Sequence, residues 1–559
     1  MNREHRSVLL TLLVLAHCVG LAHAQIHDPR AIDADPATAT GPIAPRLEGL
    51  GDHRMVVSTN VDGSQEFFDQ GLRLTYAFNH SEALRAFKEA ARLDPDNAMA
   101  YWGWALALGP NLNLPMLPDV VPQAYAAMQA AVSRRAKVSA RERDMIDALA
   151  LRYTDDPEAD RAPLDQAYSD AMGRLVEKYP DDLDIATFYA ASLMNLSPWN
   201  YWDLDGNARA GTDELVATLE SVAERNSRHP GALHYYIHAV EARDPQRAER
   251  SADTLGDLMP GAGHMVHMPS HIYMRLGRYA DSYAANAKAS LADERYIAQC
   301  RAQGLYPLGY YPHNVHFLAW SAMFQGRSAA ALEASRKVAD KVPADLGSDT
   351  WLLYQTFLAQ PMYTMVRFGM WADALAEPQP PAEALYLNGV WHYARGLALK
   401  NTGQKVKATA ELEKLRGIRQ DPAVEEQFVG FGPVPTLLLI AELILDAELA
   451  ALDGDNEQAI ATLSRAVRLE DSLLYNEPPD WYFPVRHYLG AALLDGGYAA
   501  EAEVVYWEDL RKNRENGFAL FGLRAALEAQ DKAPQLYEVE ARFDRVWADA
   551  DVELGSSRF

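Results

Sequence analysis

The chain has 559 residues, 49% of them apolar and 23% charged, with 52 Lys and Arg against 77 Asp and Glu for a net charge of −25. That apolar content excludes a disordered or collagen-like chain, and the length suits several domains or one long repeat array. The acidic balance excludes nucleic acid as a partner, because displacing counterions from phosphate needs Lys and Arg, and no basic block or stripe supplies them.

In chain order, residues 1–24 come first. A basic start (MNREHR), a short apolar run and an Ala-His-Ala end read as a secretory signal peptide cleaved after Ala24, so the mature chain is expected to be periplasmic or secreted. His17 and His23 interrupt the run, which is short for a membrane anchor. No later stretch of about 18 apolar residues exists, so no membrane span is expected in the mature chain. The signal takes Cys18 with it and leaves Cys300 alone. No intrachain disulfide can then form. Zinc sites built on paired thiolates are excluded, and a metal must be held by His and carboxylates with at most one thiolate. Residues 25–63, rich in Pro, Gly, Asp and Ala, read as an extended lead-in.

From residue 64, helical periodicity runs almost to the end. In FFDQGLRLTYAFNHSEALRAFKEAARLDPDNAMAYWGWAL, Phe67, Gly71 and Leu74 fall on one helix, and Ala83, Phe87 and Ala90 on the next, with Pro95 closing the pair. Small residues at 71, 83 and 90 let the two helices approach, Phe67 and Phe87 fill the gap, and Asn79-His80 suits the turn between them. The pattern resembles a tetratricopeptide repeat. The residue matching Ala83 recurs at Ala248, Ser282, Ala331, Ala374, Ala408, Ala459 and Ala502, and the steps 248–282 and 374–408 both equal 34, the repeat length. The expected fold is all-α: a TPR-like α-solenoid, a right-handed superhelix of helix hairpins with inserted loops. Residues 64–230 make an N-terminal TPR-like helical region with no assignable register in 110–230, residues 231–345 hold His-rich central repeats, and residues 346–559 hold C-terminal repeats. The longest insertion, LADERYIAQCRAQGLYPLGYYPHN, falls between Ser282 and Ala331, and an insertion of that size in a repeat array points to function.

Several longer strings, among them AMAYWGWALALGPNLN, MNLSPWNYWDLDG, HYYIHAVEA, GAGHMVHMPSHIYMRLGRY and YPLGYYPHNVHFL, resemble a broader group of exported bacterial tetratricopeptide repeat proteins. The resemblance covers nearly all of the mature chain. It implies the helical-repeat fold and assigns no chemistry.

The chemistry is carried by histidine. Of 16 His, seven fall between residues 234 and 316: His234 and His238, then His264, His267 and His271, then His313 and His316. Spacings of three and four let two imidazoles on one helix reach one metal ion. On one unbroken helix His264, His267 and His271 share an arc of roughly 60°, yet His264 and His271 stand about 10.5 Å apart along the axis, too far for a single ion. A site would then take His267 and His271 with a residue from a neighbouring repeat. Pro269 can instead start a helix, leaving His264 and His267 on the preceding segment. The resemblance implies that the helix positions of these His line the concave groove. Glu241, three residues after His238, is the candidate further ligand or general base. Zinc, copper and iron all suit such a donor set. The other reading is structural, with each imidazole hydrogen-bonded within its helix pair.

Trp199, Tyr201 and Trp202, with Asp203 and Asp205 nearby, form either an aromatic ligand wall or a packed connector. Tyr310, Tyr311 and Asn314 accompany the insertion beside the groove, and Asn111 and Asn113 are either groove groups or turn residues. Glu477, Trp481 and Arg486 either cap the array or face the groove. Serine-hydrolase, P-loop and dinucleotide motifs are absent, and nothing fixes a Cys300–His contact. Two functions follow. One is a binding module holding a protein, peptide or small-molecule ligand in its concave groove at a His-rich ligand or metal site. The alternative is a metal-dependent hydrolase or oxidoreductase using residues 234–316.

Overall fold

Polar side chains start many of the helices. Asn79, Asn97, Asp182, Asp455 and Asn516 each stand at an N-cap and accept a backbone N–H of the first turn, and Ser139 forms a reciprocal capping box with Glu142. The computed structural model describes residues 27–203, 205–342 and 348–559. The signal segment 1–24, Cys18 included, and the 345/346 boundary lie outside them. Regular structure among the described residues is helical, apart from a two-residue antiparallel pair, Phe428–Val429 with Gly432–Pro433.

Consecutive helices pack in pairs, as Asp62–Tyr76 does on His80–Leu93, Leu385–Asn401 on Lys405–Arg419, and Val434–Leu452 on Asn456–Asp471. The fold is an all-α, TPR-like solenoid. Its repeat logic shows at one position: Ala83, Ala248, Ser282, Ala331, Ala374, Ala408, Ala459 and Ala502 are all 0 or 1% exposed. The described part of residues 110–230, which lacks that marker, holds the α-helices Val121–Arg134, Ala140–Ala150, Arg161–Lys178, Leu183–Leu196 and Thr212–Arg225.

Two local expectations are corrected. The first hairpin turns at Ala77 and Phe78, with Phe78 at φ 55°, while Asn79 caps the second helix and His80 opens it. Asn79 stays in the connection between the helices and accepts the Glu82 N–H, so only His80 moves from the turn onto the helix. Trp481 neither caps the array nor faces a groove; it is buried with its ring 5.8 Å from Tyr363 and 5.7 Å from Tyr393. Further helices follow it, so that segment is interior.

The lead-in has a short helix, Pro29–Asp33, and otherwise irregular backbone. Its N–H groups are met by side chains from the first hairpin: Ile43 donates to Glu89 at 2.8 Å, Leu47 to Gln70 at 2.9 Å and Val57 to Gln65 at 3.0 Å. That accounts for the burial of three polar side chains, Gln65, Gln70 and Glu89, on the first hairpin.

Contacts divide the described residues into two compact units. The first runs to Ile272 and takes in Lys288–Tyr311; the second comprises Tyr273–Ala287 with Pro312–Phe559. The division falls inside the His-rich 231–345 segment. His234, His238, Glu241, His264, His267 and His271 belong to the first unit, and His313, Asn314 and His316 to the second. Within the first unit the Pro230–Val240 helix packs back on Asp62–Tyr76. No helix of the described residues is long and apolar enough to cross a membrane.

Candidate metal centre

The centre begins at the Pro230–Val240 helix. Pro230 presets the first turn, and His229 caps it through Nδ1, which accepts the Ala232 N–H at 3.2 Å. The spacing of four stacks His234 and His238 on one face. Gly231 lets Tyr76 lie directly against this helix, since a Cβ there would sit 2.4 Å from the Tyr76 ring. That close approach carries the Tyr76 carbonyl to 2.6 Å from His234 Nδ1. A carbonyl only accepts, so Nδ1 donates and Nε2 keeps its lone pair. Burial, partly offset by this hydrogen bond, pushes His234 down to about 3, so the ring is neutral near pH 7.

Pro269 settles the next three His. Helix Gly263–His267 ends before Met268, and a second segment, Pro269–Leu276, starts at the proline. His264 turns to the preceding repeat, with its Nε2 3.1 Å from that of His234. One ring nitrogen from each of His234, His238 and His264 lies within 4.8 Å of the other two. His267 and His271 pair with each other, Nε2 to Nε2 at 2.9 Å. Glu241 stands behind both groups: Oε1 is 3.4 Å from His238 Nδ1, and Oε2 is 3.1 Å from His271 Nδ1. It is placed as an acceptor that fixes ring orientation.

All six side chains are 0 to 4% exposed. Phe78 packs 4.4 Å from the His234 ring and 5.5 Å from His264, and Tyr310 lies 4.9 Å from His264. The insertion supplies that tyrosine and also Tyr306, which accepts the His264 N–H at 3.3 Å and donates to Asp293 at 2.8 Å. Asn113 donates to the Tyr310 hydroxyl at 2.9 Å, while Asn111 closes its own turn by accepting from Asn113 and Leu114. Trp199 meets His238 edge-on at 5.1 Å. Trp202 instead ties the connector down by donating to Ala239 at 2.8 Å, and Tyr311 donates to Glu294 at 2.7 Å.

In the second unit the His313 ring lies 5.0 Å from Phe317 and the His316 ring 5.7 Å from Phe357. Burial pushes His313 down to about 4 and His316 to about 3, so both are neutral near pH 7. Asn314 beside them is buried. Burial pushes the Cys300 thiol up to about 12, away from the thiolate form.

Sequence reasoning missed a second cluster, His53, Asp184 and His229. Asp184 Oδ1 accepts from His53 Nε2 at 2.9 Å and Tyr76 at 2.7 Å, with His229 Nε2 at 3.4 Å. His229 Nδ1 is an acceptor at the helix cap, so its Nε2 carries the proton. Burial raises the Asp184 carboxyl, but the hydrogen bonds from His229 and His53 outweigh it and hold the group well below the usual carboxylate range. This cluster braces Tyr76, whose carbonyl serves His234.

No protein-family model matches the chain, and no curated protein matches it. Solved structures similar to it include a human IFIT1 dimer with m7Gppp-AAAA (12% identity over 88% of this chain and 92% of that one, TM-score 0.30). The APC/C hetero-tetramer Cut9-Hcn1 gives 11% identity over 89% and 78%, with TM-score 0.28. Yeast Tom70 gives 12% over 86% and 99%, with TM-score 0.30. The chemistry of the centre rests on its own residues.

Proposed function

We propose that this protein is an exported helical-repeat binding protein whose first unit holds one transition-metal ion, zinc, copper or iron, on His234, His238 and His264. The supporting observation is the His234–His264 pair. Two buried Nε2 atoms stand 3.1 Å apart, and the Tyr76 carbonyl fixes the His234 tautomer so that its lone pair faces the gap. An ion bound tetrahedrally at about 2.0–2.1 Å holds two imidazole nitrogens about 3.3 Å apart. Imidazole donors suit all three metals. The backing carbonyl and the Glu241 carboxylate are the partners that metal-bound His residues use. The ligand groove of the repeat scaffold takes a protein, peptide or small molecule.

A metal-dependent hydrolase or oxidoreductase would need an open position on the ion and a base beside it. Glu241 lies behind the rings, so the geometry supports metal binding better than catalysis. The test is elemental analysis of protein purified without chelator and dialysed. About one equivalent of metal is expected per chain. His234→Ala and His264→Ala should each lose it while keeping the helical circular-dichroism spectrum. A wild-type chain that retains no metal, and whose melting temperature is the same in chelator and in added zinc or copper, would end this reading.

A further inference from the structure

A cleft in the first unit passes between the helices Asp62–Tyr76, Arg161–Lys178, Leu183–Leu196 and Pro230–Val240, and a second lobe continues it to the insertion; Phe78, His80 and Asn111 line both lobes. One lobe has apolar and aromatic walls, including Leu106, Leu112, Phe188, Met194 and Tyr235. Arg152 sits in that wall at 1% exposure. Its Nε donates to Asp165 at 2.7 Å and its guanidinium lies 5.1 Å over Tyr168, but Nη2 has no protein acceptor. Asp165 is shared with Arg161 at 3.2 Å, so one carboxylate serves two guanidinium groups. Among the described residues no Asp or Glu lines either lobe. Both ring nitrogens of His80 also lack a protein partner, and burial pushes that ring down to about 4, so it faces the cleft as a neutral donor and acceptor.

A buried guanidinium edge without an acceptor is costly, and a carboxylate is the group that matches it best. One unmatched positive charge calls for a monoanion, since a dianion would bring an uncompensated charge into the same apolar walls. We propose that this cleft binds a small organic monocarboxylate, its carboxylate on Arg152 Nη2 and its apolar or aromatic body between Phe188, Tyr235 and Phe78. The site is independent of any metal at the His cluster.

Calorimetric titration of the full chain tests this with matched pairs: benzoate against benzyl alcohol, phenylacetate against 2-phenylethanol, hexanoate against hexanol. At least one carboxylate should bind ten-fold or more tightly than its neutral partner. Arg152→Gln should abolish that preference. Because Arg152 also holds Asp165, a second variant leaves the ion pair alone: Ala191→Phe fills the cleft and should abolish binding of every member. The proposal fails if no carboxylate outbinds its neutral partner in the folded wild-type chain. It fails equally if inorganic phosphate binds as tightly as the best carboxylate, or if Ala191→Phe binds unchanged.

Discussion

Glu241 faces two imidazoles from different repeats, at 3.4 Å and 3.1 Å. Glu241→Gln leaves a single acceptor oxygen where two Nδ1–H groups need one each. One ring then loses its orientation, and metal affinity should fall by about 10–100-fold, as for other backing partners. Competition with a chelator measures this; an affinity within two-fold of wild type would remove Glu241 from the centre. The seven His of residues 234–316 were legible because their spacings of three and four are written locally. Which of them meet was not. Pro269 divides His264 from His267 and His271, and sequence alone leaves open whether it kinks a helix or starts one. The Tyr76 carbonyl is 158 residues from His234 and, as a main-chain group, leaves no mark in the sequence. Phe78 carried no signal in the sequence; its positive φ and the 4.4 Å approach of its ring to His234 appear only in the fold. Arg152 was invisible for a similar reason, since its significance lies in the acceptor it lacks.

Helix pairing depends on small residues opposite large ones, and Gly71 is the clearest instance. Within a helix, Gly→Ala ordinarily stabilises by about 1 kcal/mol through backbone entropy. Here a Cβ would stand 2.7 Å from the Phe87 ring, which is itself fully buried and touches Gly103 on its other side. Overpacking of that kind costs about 1–3 kcal/mol, so the sign reverses. Gly71→Ala should lower the melting temperature, and Phe87→Leu in the same chain should return part of the loss by making room. If Gly71→Ala melts at or above wild type, the crossing is looser than these distances state. The same small-against-large rule made the fold readable: the Ala83-equivalent position, found from spacing alone, is buried at all eight places. Between residues 110 and 230 the Arg161–Lys178 and Leu183–Leu196 helices bury small residues at several positions, Ser169 and Ala171 on one and Ala186, Ala190 and Ser192 on the other, so no single small residue stands out to set the register.

Most of the 77 acidic groups give the chain its charge of −25, but a few are enclosed and titrate out of place. Burial pushes Glu470 up to about 8 against the hydrogen bond from the Val485 N–H at 3.1 Å. Burial likewise pushes Asp480 up to about 7 against the Asn476 amide at 2.7 Å. In the unfolded chain such groups lose their protons near pH 4–4.5, so between there and their folded values the folded state binds more protons. Stability then falls as pH rises, by about 1.4 kcal/mol per unit for each group still protonated. His80, held down to about 4, acts in the opposite sense: it costs stability as pH drops from 6.5 toward 4 and contributes no slope above 6.5. Between pH 6.5 and 8 the decline from these groups therefore belongs to the acids. Glu470→Gln keeps an acceptor for Val485 and removes the titration, so it should gain up to about 2 kcal/mol over that interval relative to wild type. Denaturant melts of both chains at pH 6.5, 7.25 and 8 measure this. High salt separates it from surface repulsion, which is screened, whereas an enclosed group is screened far less. If the two curves stay parallel across that range in high salt, Glu470 is solvated and ionised in the folded chain.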